Sequence, residues 1–273
     1  MNLNKSKNSS FWLWIAGVFT FIQFNSCYSP VDGCLDPEAT NYSINADNPC
    51  DDCCNFPVLD VSIFHENMDT TFRLNDTITN DLDQKISLLD YVYLLSDFKV
   101  YIGEEVYNVI DSVSLDVESG TALGKDDIIR VDRDNFTYEI GTIIFDGNTD
   151  SMSFRIGLND LLNENPFTSE ISNHPLTNDP DSLYQEVTDT YVFQRIKVAQ
   201  GADFLDTVIY DISTAYETVF TLNETSVRGE DKTFVIAAQY NKWFDGIDFE
   251  TMSHSEIEER IGENSVKLFD QKN

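Results

Sequence analysis

The chain offers few side chains able to do chemistry beyond proton exchange. Among its 273 residues there are three histidines, His65, His174 and His254, and five cysteines. His65 closes an apolar-polar alternation, Val58-Leu59-Asp60-Val61-Ser62-Ile63-Phe64-His65. An imidazole at a strand end reads first as a rim residue and second as a metal ligand. Met68, three residues on, would add only one thioether. His174 precedes Pro175 in a polar stretch, where solvation is expected, and His254 sits beside a helix start. Nucleophilic catalysis needs a base against the nucleophile. Every cysteine lies in the first 54 residues, away from the histidines, and no Gly-x-Ser-x-Gly occurs. A phosphate-cradling glycine loop is also missing. With 48 Asp and Glu, chance carboxylate pairs are unavoidable, so no pair singles itself out. The expectation is a protein that is not an enzyme.

The charge balance narrows the partners. Seventeen Lys and Arg against 48 acids give a formal net charge of −31. Nucleic acid would repel such a surface, so nucleic-acid binding is excluded. Disorder is argued against by 41% hydrophobic and 12% aromatic residues.

The N-terminus sets the compartment. Lys5 and Lys7 precede an apolar run at residues 11–22, FWLWIAGVFTFI. That run is too short to span a bilayer and suits the core of a signal peptide. Ser26-Cys27 directly after it resembles a bacterial lipobox, with Phe24 where an aliphatic residue is usual. Residues 1–26 are read as a signal peptide and Cys27 as the lipidated residue, which places the protein in the bacterial cell envelope, on its periplasmic or cell-surface face. The alternative is an ordinary secretory signal cut near Ser26. Two or more acyl chains would hold the membrane stably.

Residues 27–57 form a separate acidic stem. Its remaining cysteines, Cys34, Cys50, Cys53 and Cys54, are an even set in an oxidising compartment and read as two disulfides. A bond between adjacent Cys53 and Cys54 would be strained, which leaves two connectivities. A zinc site on these four thiols is the rival reading, without a nearby His. Asp36, Glu38, Asp47, Asp51 and Asp52 could hold Ca²⁺ or stand as a solvated acidic face. The run Gly33-Cys34-Leu35-Asp36-Pro37-Glu38-Ala39-Thr40-Asn41-Tyr42, with Ala46-Asp47 and Cys50, resembles a short Cys-Asp-Ala-Asn-Tyr module of exported Bacteroidetes-type proteins.

From Val58 to Asn273 the texture is that of one all-β domain, an antiparallel β-sandwich. Period-two runs rich in aromatic and β-branched residues recur at 91–101, 136–145, 151–156, 191–198, 204–212, 218–222 and 233–240. One short C-terminal helix is expected over Ser255–Ile261, capped by Ser255 with Glu258 three on, and a further helical turn near Leu158–Leu162. The connection over 155–190 has little periodicity, and long loops on β domains are often functional. Trp243 reads as core or edge packing.

The order of these segments resembles the MbnP-like copper-binding domain family, named for a periplasmic partner of methanobactin transport. The matching patches are Val61–His65; Tyr93-Leu94-Leu95-Ser96-Asp97-Phe98-Lys99-Val100; Phe154–Asn159 with Asn165, His174-Pro175-Leu176, Tyr191-Val192-Phe193 and Gly201; and Tyr240–Phe244 with Asn264 and Phe269. The resemblance implies an exported β-sandwich and, for the prototype, copper as the bound metal. His65 is the one candidate copper ligand that carries over. Where the family has Met-Tyr-Trp-x-Trp this chain reads Ser182-Leu183-Tyr184-Gln185-Glu186, and Tyr210-Asp211-Ile212-Ser213 stands where a His-x-Gly is usual. Copper(I) favours several soft or imidazole ligands, so the fold carries over better than the metal chemistry. The expected partners are the membrane, through the lipid, and a small ligand, metal or envelope protein. The alternative is a surface adhesion lipoprotein binding calcium or a protein on its acidic face.

Overall fold

Apolar residues at every second position bury one face of a strand, and that rule builds both sheets. The computed structural model describes residues 28–50, 52–117, 120–164, 174–176, 183–188, 190–201 and 203–272. The strands that matter here are β1 (Val58–Asn67), β2 (Lys85–Ile102), β3 (Ile129–Val131), β4 (Thr137–Thr142) and β5 (Ser151–Ile156). They continue as β6 (Gln194–Gln200), β7 (Asp206–Ile212), β8 (Tyr216–Thr221), β9 (Lys232–Gln239) and β10 (Phe269–Gln271). Two helices accompany them, α1 (Asp160–Glu164) and α2 (His254–Ser265), with a 3₁₀ turn at Tyr240–Phe244.

One sheet runs β7-β6-β2-β5-β8, with β3 also paired to β2; the other runs β4-β1-β9-β10. All these pairings are antiparallel except β1 with β9. Leu59, Val61 and Ile63 of β1 and Phe234, Ile236 and Ala238 of β9 meet Tyr93, Leu95, Phe154 and Ile196 from the facing sheet. The all-β sandwich with a C-terminal helix is therefore the observed architecture.

Strand β2 is 18 residues long and changes its inward parity midway. Tyr91, Tyr93 and Leu95 face the main core, and then Phe98 and Val100 do. A β-bulge at Asp97, with φ of 55°, inserts the extra residue that makes the switch. The carboxylate of Asp127, 1% exposed, accepts the main-chain N–H of Asp97 at 3.2 Å and of Phe98 at 2.7 Å there.

The outward residues of β2's first half, Val92 and Leu94, are not solvated. A second apolar cluster covers them, built from Ile128, Leu158, Leu162, Leu176, Leu183, Tyr191 and Phe193. The described parts of the 155–190 connection thus act as a lid on the outer face of the large sheet.

The cap of α2 lies two residues earlier than expected, and the helix runs on to Ser265. Ser253, not Ser255, is the cap: it accepts the Glu256 N–H at 3.4 Å, while Glu256 accepts the Ser253 N–H at 2.7 Å. Both registers satisfy the Ser-x-x-Glu pattern. The earlier one is used, and Ile257 and Ile261 still turn into the core.

The stem carries disulfides Cys34–Cys54 and Cys50–Cys53, one of the two connectivities left open above. Residues 1–26 and Cys27 lie outside the described residues.

Candidate functional site

His65 is 6% exposed, so the rim reading of this residue is corrected. Its parity with Val61 and Ile63 turns it inward, and Tyr91, Phe136 and Tyr240 surround the ring at centroid distances of 5.7, 5.2 and 5.7 Å. Both ring nitrogens are engaged. Nε2 lies 3.3 Å from the carbonyl of Asn135 and Nδ1 lies 2.5 Å from the Tyr240 hydroxyl. A carbonyl can only accept, so Nε2 carries the proton and Nδ1 takes the proton of Tyr240. The Tyr240 oxygen in turn lies 3.4 Å from the Tyr93 hydroxyl. Burial pushes the imidazole below its ordinary value, against a smaller upward pull from Asn135 and Asp132, which favours the neutral ring. Burial likewise holds the phenols of Tyr93 and Tyr240 protonated. The result is a directed relay, Tyr93 to Tyr240 to His65 to the Asn135 carbonyl.

Asn135 and Tyr91 also line a polar cleft of about 620 Å³, with Asp126, Asp132, Tyr138 and His174 among its walls. Tyr138 donates to the Asn135 carbonyl at 2.8 Å, so the relay ends at the cleft wall. His174 is 6% exposed rather than solvated. Its Nε2 meets Asp126 Oδ1 at 2.6 Å, and its Nδ1 accepts the Leu176 N–H at 3.1 Å, which pins the Leu176 side chain into the second core. His254 opens α2, lies 3.1 Å from Glu258 and stacks on Tyr210 at 4.9 Å. Met68 is 67% exposed on the turn after β1. The structure therefore does not gather the histidines and Met68 into one ligand set.

Copper, the metal that the family resemblance implies, does not fit the residues around His65. A metal there must displace either the Tyr240 phenol or the Asn135 carbonyl. The rings that surround His65, those of Tyr91, Phe136 and Tyr240, offer neither thiolate nor thioether. Among the described residues, no group of three or more His, Cys, Asp or Glu is placed to hold a metal ion. In the stem, Asp36 accepts the Glu38 N–H at 2.9 Å within a turn and Asp47 accepts the Val31 N–H at 2.9 Å across the stem, so two of the acids considered for Ca²⁺ serve its internal hydrogen bonding. Asp51 lies outside the described residues.

Trp243 is fully buried, and its indole N–H donates to Ser265 Oγ at 3.0 Å. The His65 relay went unread in the sequence because its partners lie 70 and 175 residues away.

These features define a two-sheet β-sandwich whose buried imidazoles, His65 and His174, are both committed to hydrogen bonding. The family model described as MbnP matches residues 58–259, well over half of the chain, and the chain belongs to the MbnP family. Among solved structures it is similar to MbnP from Methylosinus trichosporium, at 10% identity and a TM-score of 0.44, over 68% of this chain and 77% of that one. Among curated proteins nothing matches.

Proposed function

We propose that this chain is an exported, lipid-anchored, non-catalytic binding protein of the cell envelope, an MbnP-family sandwich that has given up copper at its core imidazole. The observation that carries the reading is the His65 ring, whose two nitrogens are spent on Tyr240 and Asn135. Export is supported by the basic-then-apolar N-terminus and by two disulfides in the stem. Anchoring is supported by Cys27 directly after that apolar run.

Competition titration of the purified chain with a Cu(I) chelator tests the metal half. No tight stoichiometric site is expected, and a sub-nanomolar one-to-one site overturns it. Membrane fractionation tests the anchor. Cys27→Ala is expected to move the protein to the soluble fraction, and unchanged membrane retention counts against lipidation.

A further inference from the structure

The stem is joined to the sandwich without slack. Asn55 is bound back to Thr40 and Asn41, with Thr40 N–H donating to the Asn55 carbonyl at 2.8 Å and Asn55 N–H donating to Asn41 Oδ1 at 2.9 Å. Only Phe56 and the buried Pro57 separate it from β1. At the junction, Val58 N–H donates to Asp231 Oδ1 at 2.9 Å. The stem also touches the body directly. Ala39, 2% exposed, presses its carbonyl onto Gly229 in the loop before β9. A Cβ on Gly229 would lie 3.0 Å from that oxygen and 3.6 Å from the Pro37 carbonyl, and Gly229 has φ of +73°. A glycine is what lets the two backbones approach this closely.

Strand direction then decides what the docked stem does. β1 leaves the stem at Val58, and the β4 register sets Thr142 beside Val58 and Thr137 beside Ser62. His65 and Asn135 therefore lie toward the other end of the sandwich, and the cleft runs from there along β4. Seven residues of β1 at about 3.3 Å each separate Val58 from His65 by about 23 Å. Cys27 precedes the first described residue of the stem.

From the docked stem and the direction of β1 we infer that the stem is a rigid standoff: it holds the Gly229 end of the sandwich toward the lipid surface and presents the His65 end, with its cleft, away from it. This rests on the lipid-anchor reading above. A flexible tether would let the body tumble and would leave the cleft free to touch the bilayer; a docked stem does not.

The test uses the full lipidated chain in phosphatidylcholine vesicles that carry a headgroup quencher. A fluorophore is placed by a noncanonical residue at Glu230, beside Gly229, or at Asp134, on the cleft. Quenching several-fold stronger at 230 than at 134 is expected, and Ala39→Arg, a change confined to the stem, is expected to abolish the difference. Equal or reversed quenching in the unaltered stem overturns the inference. A second measurement separates its failure from failure of the anchor. A spin-label pair at the exposed Ile44 of the stem and at Asp134 is read in solution, with or without lipid. One narrow distance distribution is expected, and a broad one overturns docking whether or not the chain floats with vesicles. A chain that fails to float but gives a narrow distribution refutes the anchor and, with it, the presentation of the cleft away from lipid.

Discussion

Replacing Asp127 by Asn isolates the cost of burying a carboxylate behind the β2 bulge. Burial pushes this group from its ordinary 3.8 up to about 6, and Asp97 adds to the rise. The Phe98 and Asp97 N–H groups and Lys125 pull the other way. The unfolded chain therefore releases the proton near pH 4 and the folded chain near pH 6. Below both values the group is neutral in both states and costs nothing. As pH rises between them, the unfolded state ionises first and stability falls. Above pH 6 the loss is complete and constant. A gap of about two units corresponds to about 3 kcal/mol at full extent. The wild-type pH profile sums every ionisable group, so it is the difference between wild type and Asp127→Asn that isolates this one. Asn keeps an acceptor for Phe98 N–H and turns its amide toward Asp97 N–H, a pH-independent offset. Urea unfolding followed by Trp243 fluorescence at pH 4, 5, 6 and 7 gives the difference. At pH 4 the unfolded carboxyl is already more than half ionised, so relative to wild type the variant is expected to gain about 2 kcal/mol between pH 4 and pH 7. A difference that stays flat over that interval, or that moves toward wild type, refutes the reasoning.

Two further outcomes test how the C-terminal elements close the sandwich. The Ser265 hydroxyl accepts from the Trp243 indole at 3.0 Å and lies 2.7 Å from Gln194 Oε1, all buried. Ser265→Ala strands the indole N–H and is expected to cost about 2 kcal/mol in urea unfolding, and a cost below about 0.5 kcal/mol would show that the hydroxyl carries no structural role. Ser253→Ala is expected to cost about 1 kcal/mol through loss of the capping box, whereas Ser255→Ala is expected to be close to neutral. The reverse order would restore the later helix start.

The sequence carries the sandwich because its strands obey period two over long stretches. It also carries the N-terminal half of β1, where Leu59, Val61 and Ile63 alternate with polar residues. Three things were illegible, each for a physical reason. The bulge at Asp97 shifts parity inside one continuous strand, and an apolar run such as Tyr91–Leu95, with both faces covered, shows no alternation. The second core draws Val92 from β2, Ile128 from before β3 and Leu176 from a polar connection, residues that no local pattern joins. His65 and His174 looked solvated because a polar residue near a strand end or before a proline usually is. Their burial depends on hydrogen-bond partners, the acceptors of Asn135 and Asp126 and the Tyr240 donor, which only the tertiary structure brings near.

The same dependence decides the chemistry of His65. A metal approaching through Nε2 must break the bond to the Asn135 carbonyl and dislodge the loop that Tyr138 also holds. Approach through Nδ1 leaves the Tyr240 hydroxyl, fully buried, without its acceptor, at about 1–3 kcal/mol for a stranded polar group. Deprotonating the phenol instead, to make it a ligand, works against the burial that holds it protonated. One imidazole must offset these costs with no soft partner beside it. The hydrogen-bonded ring, in contrast, satisfies both nitrogens and two phenols at once. That makes the relay the lower free-energy use of His65 in this fold.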